Sequence, residues 1–167
     1  PSRHRVRASL NPDGTIESWD HGFKSGHVIF TSAAMPPWMQ SLTSFAPDPG
    51  AARGATPPYN GSHMQVAFSD MRLPVLTGPW RGLGAAPNSF AIETSIDLLA
   101  QKAGKDPIAF RTANLKGSHS RLAHCLTEVA RLSNWAGSRE SATRYRGAAC
   151  GIYKEVTYVA VVADIDI

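Results

Sequence analysis

Alternating polar and apolar positions open the chain and predict a β-hairpin. The segments RVRASL (residues 5–10) and TIESWDHGF (residues 15–23) both follow the two-residue period of a strand. Between them lies NPDG, in which Gly14 suits the positive φ of a tight turn. We therefore expect the first 23 residues to form two antiparallel strands joined by this turn.

A period near 3.6 residues replaces the alternation farther along and predicts three helices. The first runs from about residue 88 to residue 103 and stops at Gly104, and the second begins at Pro107 after the N-cap residue Asp106. The third follows Ser118. The apolar positions expected to face the core are Phe90, Ile92, Ile96, Leu99 and Ala103 in the first helix and Leu122, Cys125, Leu126, Val129 and Leu132 in the third.

The C-terminal residues 146–167 alternate again and predict two more strands. The last is apolar on both faces around Val159 to Ala163, which is typical of a strand in the interior of a sheet. The predicted fold class is therefore α+β: a mixed or antiparallel sheet with an N-terminal hairpin and C-terminal strands, and about three helices packed on it.

Residues 31–62 lack a clear period and carry six prolines. We interpret residues 1–167 as a single domain-sized fragment that contains this irregular, proline-rich excursion. Long irregular segments in compact domains are usually functional, disordered or laid against another part of the protein. The apolar residues Met35, Trp38, Met39 and Phe45 favour the last case. We expect the excursion to pack on a neighbouring subunit or missing domain and to be poorly ordered in isolation.

Composition and charge exclude several classes of protein. The excess of 17 Lys and Arg over 13 Asp and Glu is modest, and most basic residues are scattered singly. Arg3, Arg5 and Arg7 share one strand face, which indicates a solvated surface rather than a phosphate track, so we expect no nucleic-acid partner. No apolar run approaches the ~20 residues needed to span a bilayer. The two cysteines and six histidines show no metal-ligand spacing, so no metal-binding residue is predicted.

The segment TGPWRGLGAAPNSFAIE (residues 77–93) places three glycines around and after Pro79 and before Pro87, directly ahead of the first predicted helix. A turn of this kind offers backbone N–H groups and the positive end of a helix dipole, which attract an anionic or electron-rich group. Glycines also occur where a loop packs tightly against a strand. Both interpretations stay open, as does the choice for Trp80 between lining a cleft and filling the core.

The run LPVLTGPWRGLGAAPNSFAIETSIDLLAQKAGKDPIAFRTANL (residues 73–115) resembles the molybdopterin-binding large subunit of the xanthine dehydrogenase and aldehyde oxidase family, in particular its branch of isoquinoline 1-oxidoreductase beta subunits. The match is carried by TGPWR with its glycine turn, the FA-E and ID-LA pattern of the helix, AGKDP and the Phe-Arg helix. The NPDG hairpin and the C-terminal RGAACGIYKEV are similar as well. The resemblance covers nearly all of the chain outside the excursion.

The resemblance implies a site in the glycine loop. Leu83 takes the position that lines the substrate pocket, where relatives of the xanthine oxidase type carry an aromatic residue, so the aliphatic side chain argues against a purine substrate. Ala85 stands where this branch usually has a histidine. The residues implied to bind the cofactor are Trp80, Arg81, Gly82 and Gly84.

The implied chemistry is hydroxylation of an N-heteroaromatic or oxidation of an aldehyde, with water as the oxygen source and molybdopterin or its cytosine dinucleotide as cofactor. The implied partners are the small-molecule substrate, the rest of the same subunit and an iron-sulfur electron-transfer subunit. The family's general base is a glutamate near the end of the full-length subunit. Here Glu93 is interpreted as bracing its loop and Glu155 as a strand-end charge, so no catalytic residue is assigned.

The chain begins at Pro1 and ends on an apolar run. We expect it to be an internal fragment of a bacterial protein from the cytoplasm or periplasm, and to be inactive and free of cofactor when isolated. The alternative is a scaffold or binding domain that retains the family fold without its cofactor and is not catalytic.

Overall fold

The computed structural model describes residues 2–30, 35–71, 73–75, 77–135 and 143–167. The chain divides into two compact units. One consists of Pro1–Arg7, Trp19–Pro57 and His63–Ile92, and the other consists of Ala8–Ser18, Pro58–Ser62 and Glu93–Ile167.

The N-terminal strands form the predicted hairpin. Strand β1 (Ser2–Leu10) and strand β2 (Ile16–Ser25) are joined by a turn in which the Gly14 amide donates to the Asn11 carbonyl oxygen at 2.9 Å. Gly14 has a φ of +79°, as the sequence predicted. Strand β3 (His63–Asp70) adds to the other side of β2, so the order is β1-β2-β3 and β2 is central.

The two faces of this sheet differ in burial. Trp19, His21 and Phe23 of β2 are buried and alternate with more exposed positions, as the two-residue period requires. The Phe23 ring stacks on Phe68 of β3 at 4.9 Å and on His4 of β1 at 5.3 Å. The face that carries these rings is called the inner face below.

The proline-rich excursion contains more structure than its sequence suggests. Helix α1 (Pro37–Thr43) begins directly after Pro36, while Asp48, Ala51 and Ala55 are buried farther along. The apolar Trp38 and Phe45 are 62% and 83% exposed. Residues 31–34 of the excursion, and Arg72 in the extended segment after it, lie outside the described residues.

The three predicted helices are confirmed, and α1 brings the helices of the described residues to four. Helix α2 (Ala85–Lys102) begins three residues earlier than predicted, α3 (Pro107–Asn114) follows, and α4 (Ser120–Leu132) comes after a short 3₁₀ turn. Among these described helices, none has the length and apolar character needed to cross a membrane.

Two positions of the predicted apolar stripes do not face a core. Phe90 is 75% exposed and Leu132 is 73% exposed, so both predictions are wrong. Leu132 is the last residue of α4, whereas Phe90 lies about 200° around the axis of α2 from Ile92, on the side opposite the buried residues of that helix. The central positions Ile96, Leu122 and Leu126 are fully buried, in agreement with the predicted stripes.

The C-terminal strands β4 (Arg144–Tyr153) and β5 (Thr157–Asp166) form an antiparallel pair in which Cys150 lies opposite Ala160. The predicted interior position of β5 is wrong for the described part of the chain, where β4 is its one sheet neighbour. Helix α4 packs on β5. Burial alternates along the strand, and Val159 and Val161 are about half exposed, at 49% and 52%.

Asp106 is the N-cap of α3, as predicted, and its contribution to the stability of this helix can be tested by mutation. One carboxylate oxygen accepts the Ile108 and Ala109 amides, both at 2.9 Å, and the other accepts the Trp135 indole N–H at 2.6 Å. Loss of such a cap costs about 1 kcal/mol. We expect Asp106→Ala to speed amide hydrogen exchange in the first turn of α3 roughly fivefold. Ala113→Gln, at an exposed position of the same helix, is the control, and equal exchange in both variants would contradict the cap's role.

Candidate functional site

The loop of residues 77–84 leads directly into α2 and carries all five residues implied to form the site. Trp80 is 82% exposed and therefore does not fill the core. Arg81 is also exposed, and Leu83 is partly buried. The open alternative for Trp80 is thus decided against a core role, and the loop presents a large ring and a cation at its surface.

Two consecutive residues of the loop adopt the left-handed conformation. Gly82 has a φ of +86° and Leu83 a φ of +57°. The turn is closed by the Leu83 amide, which donates to the Trp80 carbonyl oxygen at 2.8 Å, and by the Ala85 amide, which donates to the Gly82 carbonyl oxygen at 3.1 Å. A non-glycine residue in this region costs roughly 1–2 kcal/mol. Strain of this kind clusters at functional sites.

Gly84 is a glycine for a different reason. A Cβ atom placed on it would lie 2.1 Å from the Ala51 carbonyl oxygen, so no other residue fits without moving the backbone. Its amide donates to the Gly50 carbonyl oxygen at 2.9 Å. At Gly82, by contrast, an added Cβ would meet no atom within 4 Å. Gly84 therefore packs the loop against the turn of residues 50–51, whereas packing does not explain Gly82.

Asp48 holds that supporting turn in place. Its carboxylate is fully buried, and one oxygen accepts the amides of residues 28, 29 and 30 at 2.7, 2.6 and 3.2 Å. The other oxygen accepts the Gly50 amide at 2.8 Å. Burial alone would raise the pKa of Asp48, but these backbone hydrogen bonds lower it below the usual value. The carboxylate is therefore ionised at neutral pH and fixes the turn that contacts Gly84.

The first turn of α2 is attached to the same support. The Asn88 side-chain amide donates to the carbonyl oxygens of Ala51 and Arg53, both at 2.9 Å. Asn88 is buried. The glycine loop and the start of the helix are thus both bonded to residues 50–53, which leaves the loop little freedom to change shape.

The expected row of free backbone donors is only partly present. The amides of Leu83, Gly84 and Ala85 already bond to carbonyl oxygens, and Pro87 has no N–H. In the described residues, the amides of Arg81 and Gly82 donate to no protein group. The loop amides left without a protein acceptor are therefore those of the turn itself, and they do not form a complete row at the helix N-terminus.

Thr77, the first residue of the loop, borders a cleft of about 450 Å³. Its hydroxyl donates to the His27 carbonyl oxygen. Leu83 is not part of this cleft, so its role in a substrate pocket stays a prediction. The other side chains that bound the cleft include His27, Gln40, Met71, Leu73 and Val75.

Glu93 is buried and binds groups from three distant parts of its unit. Its carboxylate accepts the Arg111 Nε–H at 2.9 Å, the Tyr59 hydroxyl at 2.8 Å and the Cys150 amide at 2.8 Å. Arg111 Nη1 lies 2.7 Å from Asp97, one turn along α2. Glu93 is thus a structural carboxylate, and the groups it braces are α3, β4 and Tyr59.

This network raises the pKa of the groups around Glu93. Burial, followed by the nearby Glu93 charge, raises the pKa of Tyr59 well above its ordinary value and that of the Cys150 thiol to about 12. For Arg111, burial favours the neutral form, but Glu93 more than offsets this and the pKa is raised. At neutral pH, Tyr59 and Cys150 are therefore both protonated and chemically inert.

The remaining candidate groups show no catalytic arrangement. Glu155 lies in the turn between β4 and β5, exposed and 3.9 Å from His119. Cys125 is half-buried and its thiol lies 3.8 Å from the Tyr158 carbonyl oxygen. Among the residues with a described position, no three His, Cys, Asp or Glu side chains are grouped so that they could hold a metal ion.

Sequence reasoning missed the supporting roles of Asp48 and Arg111. Glu93 and Asp97 stand four residues apart on a predicted helix, which is the spacing that lets two carboxylates meet one arginine. That signal was available, although it did not identify Arg111 as the partner. One of the four amide donors of Asp48, that of Gly50, is local, but the other three lie about 20 residues earlier in the chain and leave no local pattern.

The chain is similar in sequence to parts of two larger proteins. It is 34% identical over 137 residues to the B subunit of nicotinate dehydrogenase from Pseudomonas putida, a match that covers 78% of this chain and 11% of that protein. It is 33% identical over 105 residues to the beta subunit of isoquinoline 1-oxidoreductase from Brevundimonas diminuta, covering 63% of this chain and 13% of that one. The chain thus spans only a small part of the length of these relatives.

A solved structure shares the fold. The aldehyde oxidoreductase of Desulfovibrio gigas matches 90% of this chain and 17% of its own, with a TM-score of 0.57 and 20% identity. No protein-family model matches the chain.

The two cysteines provide a test of the Glu93 network. Only the thiolate is nucleophilic, so Cys150, which is 7% exposed and has a pKa of about 12, should resist iodoacetamide in the folded protein at about pH 8. Half-buried Cys125 is the internal comparison and should be alkylated first. Mass spectrometry of peptides at timed intervals measures both rates, and both cysteines should react in urea. If Cys150 of the folded protein is alkylated as fast as Cys125, its thiol is accessible to solvent and the hydrogen bonds around Glu93 do not protect it.

Proposed function

This chain belongs to the family of molybdopterin-binding large subunits of the xanthine dehydrogenase and aldehyde oxidase type, and from that premise we propose that residues 80–84 form one wall of the cofactor and substrate site. The observation that carries the proposal is the left-handed conformation of Gly82 and Leu83 beside open space. The supporting turn explains Gly84, and the positive φ explains why residue 82 is a glycine, but neither explains why the non-glycine Leu83 holds a positive φ.

The chemistry of the loop suits an anionic, flat cofactor. Two backbone N–H groups, those of Arg81 and Gly82, have no protein acceptor in the described structure and are free to bond to a ligand oxygen or nitrogen. The Arg81 guanidinium adds a positive charge, and the Trp80 ring adds an exposed apolar surface. The absence of a Cβ at Gly82 leaves space for close approach to its backbone.

Molybdopterin, when bound, supplies the redox metal for hydroxylation of carbon with oxygen from water. The residues of this chain would position the cofactor and keep water away from it. Arg81 and Gly82 would orient the edge of the cofactor, and Trp80 would limit the access of water to that edge. Leu83 contacts the substrate through an aliphatic surface. The general base is contributed by a glutamate outside this chain.

The proposed substrates are N-heteroaromatic rings or aldehydes. Both sequence relatives carry the name of an N-heteroaromatic compound, nicotinate or isoquinoline, and the fold relative is an aldehyde oxidoreductase. An aliphatic Leu83 offers an apolar contact without ring stacking, which suits a range of flat substrates. The proposed partners are the rest of the same subunit and an iron-sulfur subunit that accepts the electrons.

A second function deserves a test, namely a scaffold or binding domain without cofactor. Three loop amides bond within the protein and Pro87 has none to offer, which reduces the donors left for a ligand. Metal analysis of the intact protein separates the two functions. Stoichiometric molybdenum supports the cofactor wall, and its absence from a folded, freshly expressed protein supports the scaffold.

We expect Gly82→Val to abolish turnover of the intact enzyme with little change in its melting temperature. A β-branched residue does not accept the positive φ of this turn, and its side chain would enter the space proposed for the cofactor. Gly78→Val is the matched control, because Gly78 lies in the same loop, also has open space, and has no positive φ. Wild-type turnover in Gly82→Val would show that the loop is only structural.

Leu83→Ala is expected to change substrate preference and leave the molybdenum content unchanged. Removal of apolar pocket surface is worth about 1 to 3 kcal/mol of discrimination, or roughly 10 to 200-fold in relative kcat/KM. The measurement is kcat/KM on a panel of aldehydes and N-heterocycles. Leu98→Ala, at a position 62% exposed on α2, is the control and should leave the ratios as they are. If the kcat/KM ratios of Leu83→Ala equal those of the wild type, Leu83 does not line the substrate pocket.

A further inference from the structure

A second concave site lies on the outer face of the three-stranded sheet, opposite the inner face that carries Phe23 and Phe68. It is a cleft of about 330 Å³ that crosses β1, β2 and β3. We call it the basic cleft. His4 and Phe23, whose rings lie on the inner face, also border it; the residues that form its walls and floor on the outer face are Arg3, Arg5, Gly22, Lys24, Ala67 and Ser69.

The walls of the basic cleft are cationic and uncompensated. Arg3, Arg5 and Lys24 are all exposed, and within the described part of the chain none of them contacts a carboxylate. Arg7, the next arginine on the same face of β1, instead pairs with Asp20 at 3.7 Å. The positive charge is therefore concentrated at the cleft and neutralised immediately beside it.

The floor of the cleft is made of small residues. Gly22 lies in the central strand, where an added Cβ would meet no atom within 4 Å and where φ is not positive. Neither packing nor backbone conformation therefore requires glycine, although glycine weakens a strand interior. Such a glycine often marks the close approach of a ligand to the backbone. Ala67 and Ser69 continue the floor onto β3.

We propose that the basic cleft binds the oxyanion group of a small molecule, either a phosphate or a carboxylate. Arg3 and Arg5 stand two residues apart on one strand face, about 7 Å along the strand, so their guanidinium groups can converge on one anion. Guanidinium groups bind oxyanions through paired hydrogen bonds, and Lys24 adds a point charge. The Ser69 hydroxyl supplies a neutral donor at the floor. This site is independent of the cofactor loop.

The test is a titration of the intact protein with inorganic phosphate and, separately, with succinate, by isothermal calorimetry at low ionic strength. Arg3→Gln and Arg5→Gln should each weaken binding about tenfold, the loss of one charge-assisted contact. Arg7→Gln is the matched control, because it removes the same charge from the same strand face outside the cleft. Its affinity should stay within about twofold of the wild type.

The variant Gly22→Val tests whether the anion binds in the cleft itself or is attracted only by the general positive charge of this surface. Valine suits a strand and changes no charge, but its side chain would occupy the floor, so saturable binding should disappear while the melting temperature is retained. If Gly22→Val does not fold, Ala67→Leu at an exposed floor position makes the same test. Binding of phosphate alone or succinate alone identifies the ligand group. The proposal fails if neither phosphate nor succinate binds, or if the Gly22→Val or Ala67→Leu variant binds the anion as tightly as the wild type. It also fails if Arg7→Gln weakens binding as much as Arg3→Gln.

Discussion

The geometry of the candidate loop depends on one buried carboxylate, that of Asp48. It accepts four backbone amides, three from residues 28–30 and one from Gly50. Removal of a buried acceptor leaves its donors unsatisfied, at about 1–3 kcal/mol for each group. The turn fixed in this way offers the Gly50 carbonyl oxygen to the Gly84 amide. A residue in the middle of the excursion thus determines the shape of a loop more than 30 residues later in the chain.

Glu93 has the same function in the other unit. Tyr59, Arg111 and Cys150 come from distant parts of the sequence and meet at one carboxylate. A buried ion pair adds little net stability compared with apolar packing, because both charges lose their hydration. The ion pair instead makes one arrangement of the elements specific, because a shifted register of β4 or a rotated α3 would leave Glu93 or Arg111 unpaired. Both units therefore use a buried carboxylate to fix elements that hydrophobic contacts alone would position less uniquely.

The features that the sequence predicted correctly are those with local causes. The Gly14 turn, the Asp106 cap and the stop at Gly104, whose φ is +64°, depend on neighbouring residues and were visible in short windows. The prediction for Phe90 was wrong because this residue lies about 200° around α2 from Ile92, off the buried stripe. The predicted interior position of β5 was wrong because burial depends on which element covers a surface. Apolar periodicity shows which residues would gain from burial, but not whether a neighbour is present. The supporting role of Asp48 was hidden for a similar reason, since three of its four amide donors are distant in sequence.

The three glycines of the loop show how far a motif can be interpreted from its letters. In sequence they look alike, yet in the structure Gly84 is required by packing and Gly82 by conformation, while Gly78 meets neither requirement. Tight packing, the simpler interpretation, thus accounts for one glycine of the three. The support from residues 48–53 does not explain the strain at Leu83, the one non-glycine residue of this loop with a positive φ. Because a free loop would relax such strain, its retention on a rigid support favours a role in holding a ligand.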